Sequence, residues 1–64
     1  MLTNLEQSIK NVEELVEEVK NRTFLPKRFR KLPQGELLQR ELNNYVRYLK
    51  DELRRLQALL ARSN

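Results

Sequence analysis

Residues 22–35, RTFLPKRFRKLPQG, hold both prolines, the only glycine and both phenylalanines of a 64-residue chain. Proline and glycine are the residues that cost a helix most, so gathering them in one place leaves the stretches on either side free to run as uninterrupted helices. A turn-rich β fold is excluded by the same scarcity. What remains is a helix, a connector and a second helix.

The stretch before the connector carries Leu2, Leu5, Ile9, Val12, Val16 and Val19 at spacings of 3, 4, 3, 4 and 3. That is a heptad seam along one side of a helix, predicted over about residues 3–22. Leu15 lies beside the seam and widens it, which suits packing against more than one neighbour. Thr3 or Asn4 supplies an N-cap, because a short oxygen-bearing side chain accepts from an otherwise unpaired backbone N–H. The outer face bears Glu6, Glu13, Glu14, Glu17 and Glu18 against Lys10 and Lys20, so residues 1–21 are net −3.

Within the connector, Leu25 precedes Pro26 and is pushed away from helical backbone. Pro26 can open a short helical turn through Leu32, since a first-turn proline lacks only an N–H that would be unpaired. In that turn Leu25, Phe29 and Leu32 share one side and Lys27, Arg28, Arg30 and Lys31 spread over the others. Leu32-Pro33-Gln34-Gly35 reads as a type I turn with proline second and glycine fourth. With Arg22, the segment carries five basic residues and no acid.

After Gly35 the helical period resumes over about residues 36–62. Leu42, Val46, Leu49, Leu53, Leu56 and Leu60 follow spacings of 4, 3, 4, 3 and 4, with Leu38, Tyr45 and Leu59 beside the seam. Glu36 at the start and Arg54, Arg55 and Arg62 towards the end complement the helix dipole. Glu36 with Arg40 and Asp51 with Arg55 are spaced as i,i+4 ion pairs. Residues 36–64 hold six basic and four acidic side chains, net +2.

The expected fold is therefore all-α: one small domain, a two-helix hairpin with a basic, proline-bounded connector. A chain this short buries a modest fraction of its surface and commonly needs a disulfide, a metal or a second subunit. The sequence has no cysteine and no histidine, which leaves association as the route to added stability. The second helix is also longer than the first, so a hairpin leaves its stripe around Leu56, Leu59 and Leu60 overhanging. Pairing of two hairpins into a four-helix bundle or coiled-coil-like homodimer covers that stripe, and so does docking on another helical protein.

For chemistry the chain offers poor material. Ser8 and Ser63 have no base beside them, a glycine-rich phosphate loop is impossible with one glycine, and no catalytic, cofactor or metal site is expected. Glu13, Glu14, Glu17 and Glu18 include i,i+4 pairs able to hold a hard cation loosely, but read better as a solvated acidic face. No apolar run approaches a membrane span and the N-terminus lacks a signal-peptide core, so a soluble intracellular protein is expected, cytoplasmic or nuclear, without a small-molecule substrate.

Two function classes follow. The first is a helical interaction or oligomerisation module whose core is Leu5, Ile9, Val12, Val16, Val19, Leu42, Val46, Leu49, Leu53, Leu56 and Leu60. The second is a nucleic-acid-binding protein contacting phosphates, or an acidic partner, through Arg22, Lys27, Arg28, Arg30, Lys31 and Arg47, with Arg40 extending the patch. Tyr45 and Tyr48 near Arg47 add a base-stacking option. The same basic run is open to reading as a solvated turn, a nuclear import signal or, with Phe24, Leu25 and Phe29, a membrane-surface anchor.

The segments NVEELVEEV, the turn glycine Gly35 and Val46-Arg47 resemble a family of small bacterial ribosomal proteins, which implies a helical hairpin on ribosomal RNA. That family's basic second-helix cluster differs from VRYLKDELRRL here. LEQSIKNVE and QRE at 39–41 are similar to small helical co-chaperones of type III secretion needles, which implies a protein partner. Those co-chaperones lack a comparable proline-bounded basic connector.

Overall fold

The computed structural model describes residues 3–63, and the elements found there are all helices: α1 (Asn4–Lys20), α2 (Lys27–Arg30) and α3 (Glu36–Ser63). α1 packs along α3, and α2 lies against α3 at the connector end. Leu2, the first residue of the expected seam, lies outside the described residues.

α1 begins at a capping box. The Thr3 hydroxyl accepts from the Glu6 N–H at 3.1 Å and Glu6 Oε1 accepts from the Thr3 N–H at 3.2 Å, so two otherwise orphaned donors are satisfied reciprocally. Thr3 is thus the cap in preference to Asn4. The helix ends ahead of Pro26, and by a different device. The Arg22 N–H bonds to Val19 O at 3.1 Å and the Thr23 N–H to Glu18 O at 2.9 Å, with Arg22 in left-handed backbone at φ 58°. This is a Schellman stop with arginine in the place glycine usually takes. Glu18 O also accepts from the Thr23 hydroxyl at 3.2 Å and the Phe24 N–H at 3.3 Å.

Pro26 stands just outside α2, in extended backbone at its N-cap. The turn continues beyond the four-residue helix through a Leu32 N–H bond to Phe29 O at 3.2 Å. Gly35 then opens α3: its carbonyl accepts from the Gln39 N–H at 3.1 Å and its φ is +149°, a region closed in practice to residues with a Cβ.

The buried side chains are Ile9, Val16, Val19, Phe29, Leu38, Leu42 and Leu49. All but Ile9 form one cluster, with Val12, Leu15, Leu25, Leu32, Tyr45 and Val46 packed around it. Leu38, placed beside the seam by its spacing, is among the two most deeply buried residues at 1% exposed, while Val46 is only half-buried. The cause is α2: Phe29 and α1 both rest on the first half of α3, so α3 sinks a wider face there than a two-position seam describes. The cluster stops at Leu49. Leu5, Leu53, Leu56 and Leu60 are half-buried outside it and Leu59 is 39% exposed.

The ion pairs of α3 are i,i+3 pairs, Asp51–Arg54 at 3.4 Å and Glu52–Arg55, in place of the expected Asp51–Arg55; Glu36–Arg40 is not among those formed by the described residues. The Arg55 guanidinium holds the Glu52 carboxyl below the usual carboxylate range, chiefly through its hydrogen bond.

Candidate binding surface at the connector

Phe29 fixes the connector. Its ring is 3% exposed and lies 5.4 Å, centroid to centroid, from Tyr45 of α3, tilted at 53°. Leu25 and Leu32 pack against the core cluster to which it belongs. A four-residue helix has little stability of its own, so these three apolar contacts, not helix propensity, hold α2 and its basic residues in place.

The six expected phosphate contacts divide into two groups. Three are engaged within the chain. Arg22 donates through Nη1 to Gln34 Oε1 at 3.3 Å and through Nη2 to Gln39 Oε1 at 2.6 Å. Arg30 Nε donates to Leu25 O at 2.9 Å, bracing the turn from outside. Arg28 lies over two aromatic rings, its guanidinium carbon 4.7 Å from the Phe29 centroid and 5.2 Å from that of Tyr45. The other three, Lys27, Lys31 and Arg47, are exposed and make no ion pair among the described residues.

Tyr45 also stacks on Tyr48, with centroids 6.4 Å apart and rings 18° from parallel. Phe29, Tyr45 and Tyr48 therefore form an aromatic ladder running from the core to the surface, where Tyr48 is 61% exposed. Beside it opens a groove of about 510 Å³ lined by Pro26, Arg28, Glu41, Asn44, Tyr45 and Tyr48. Another groove, of about 380 Å³, is lined by Glu36, Gln39, Arg40, Asn43, Asn44 and Arg47 and shares Asn44 with the first. Glu41 and Asn44 were not singled out from the sequence, although 41, 44, 45 and 48 share one helical face. Arg28's place over the rings depends on α2 folding back onto α3, which no local pattern displays.

No group of three or more acidic side chains gathers as a metal site among the described residues, and none of their helices is long and apolar enough to cross a membrane. No protein-family model matches the chain, and neither the curated proteins nor the solved structures give a match. Neither family resemblance gains support from these comparisons.

Proposed function

We propose that the chain is a self-associating helical interaction module, in which a second copy covers the open end of the hairpin. The observation that carries this reading is the mismatch between helix length and core length. α3 has 28 residues and α1 has 17, about 42 Å against about 26 Å, while the core cluster ends at Leu49. Leu53, Leu56, Leu59 and Leu60 continue the apolar stripe beyond it, and Leu5 and Ile9 lie outside the cluster at the start of α1.

Charge supports a second copy as the occupant. The α1 segment is net −3 and the α3 segment net +2, so a twofold pairing that lays the α3 end of each copy beside the α1 face of the other brings opposite charges together. Sedimentation equilibrium of the full chain at micromolar concentration tests the reading. A dimer is expected, converted to a helical monomer by Leu56→Lys with Leu59→Lys. A cooperatively folded monomer throughout that range, or association only with a different protein, overturns it.

A further inference from the structure

Beyond self-association, we propose that the groove between α2 and α3 binds single-stranded nucleic acid, with an unpaired base stacked on Tyr48 and the flanking phosphates on Arg28, Arg40 and Arg47. Among the described residues Tyr48 is the most exposed of the large apolar or aromatic side chains, at 61%. Its ring lies within 18° of parallel to that of Tyr45, with the centroids 6.4 Å apart. Tyr45 in turn rests on the buried Phe29. A flat aromatic face open to solvent, with guanidinium groups in the grooves beside it, is what sequence-tolerant base stacking requires.

The charges are placed to follow a strand. The Arg28 guanidinium sits over the Phe29 and Tyr45 rings on one side of the platform. Arg40 and Arg47, together with Glu36, line a groove on the other side that shares Asn44 with the first. A strand crossing Asn44 thus meets cations before and after the stacked base. Glu41, the one carboxylate among the residues lining the tyrosine groove, disfavours an acidic peptide laid along it, while Arg28 in the same groove is left to a single flanking phosphate. Glu41 accepts from an exocyclic base amine, and Asn44 can both donate to and accept from a base edge. A duplex keeps its base faces stacked internally and so cannot use Tyr48.

The test is fluorescence anisotropy of a labelled oligodeoxycytidylate, whose bases carry an exocyclic amine, about 12 nucleotides long and within the span such platforms cover, titrated with the full chain at several salt concentrations. The expected result is saturable binding that weakens as salt rises. Tyr48→Ala is expected to lose about tenfold in affinity with helix content unchanged, and Tyr48→Phe to retain it. Arg40→Gln with Arg47→Gln is expected to lower the salt dependence as well as the affinity. Equal affinity for a duplex of the same length, binding indifferent to Tyr48→Ala, preference for a polyglutamate peptide, or no binding at low salt each overturns the proposal. So does a Tyr48→Ala variant whose defect is in self-association alone.

Discussion

Arg22 Nη2 donates to Gln39 Oε1 at 2.6 Å, fastening the residue that ends α1 to the first turn of α3. The same arginine bonds Gln34, so one side chain spans the connector from end to end. This accounts for arginine at a backbone position with φ 58°, where glycine carries no Cβ penalty but has no side chain to reach across.

The two contributions at Arg22 separate by substitution. Arg22→Ala keeps the left-handed strain and loses the clasp, and is expected to destabilise by about 0.5–1.5 kcal/mol. Arg22→Gly loses the clasp but relieves the strain, and is expected to exceed Arg22→Ala in stability by about 1 kcal/mol. Urea denaturation of the three proteins reads both differences. Equal stability of the two variants would sink the αL assignment.

Gly35 makes a purely conformational demand. Apart from its neighbours in the chain, nothing lies within 4 Å of the position a Cβ would take, yet φ is +149°. Gly35→Ala is expected to cost about 1–3 kcal/mol through backbone strain alone. Loss of stability without loss of helix content at low temperature, measured by circular dichroism, identifies that cause.

Phe29 is the anchor of α2, and Phe29→Ala is expected to cost about 3–5 kcal/mol. A domain of this size has a total stability of the same order, so the variant should be largely unfolded at room temperature. Phe24, 38% exposed, provides the contrast: Phe24→Ala is expected to change stability by less than about 1 kcal/mol. Comparable thermal midpoints for the two variants would contradict the placement of the connector.

Acid should weaken the far half of α3 through Glu52. Its carboxyl titrates below the usual range because the Arg55 guanidinium is hydrogen-bonded to it. With the folded value lower than the unfolded one, the stabilisation is complete above the ordinary carboxylate range and is lost as pH falls through the folded value. Because the pair lies at the surface, the effect is small and salt-sensitive. Glu52→Gln should flatten that part of the acid limb in stability-against-pH curves, and an unchanged limb would argue against the pairing.

The periodicity of Leu5 to Val19 and of Leu42 to Leu60 made both long helices legible, because a 3–4 spacing has one physical solution at this length. Phe29 was legible as the underside of the connector for the same reason. Arg22 was not: an αL arginine is stabilised by partners 12 and 17 residues away, and nothing local distinguishes it from any other exposed cation. The depth of Leu38 was hidden likewise, since it depends on α2 and α1 meeting on one face of α3. Of the connector surface, the tyrosines and the basic residues could be named in advance. Their sorting into engaged and unengaged side chains required the chain to be folded.

The length of α3 also governs how the molecule turns in solution. The principal extents are 45 × 20 × 16 Å, and a helix of 28 residues accounts for nearly all of the longest. Such a rod spins readily about its axis and tumbles end over end slowly. Amide N–H bonds in α3 point along that axis, so their nuclear relaxation reports the slow motion, whereas those of the connector sample both. The spread of relaxation rates between α3 and residues 21–35 is therefore an internal gauge of the molecule's aspect ratio, and a partner laid along the rod narrows it while one added at the tip widens it.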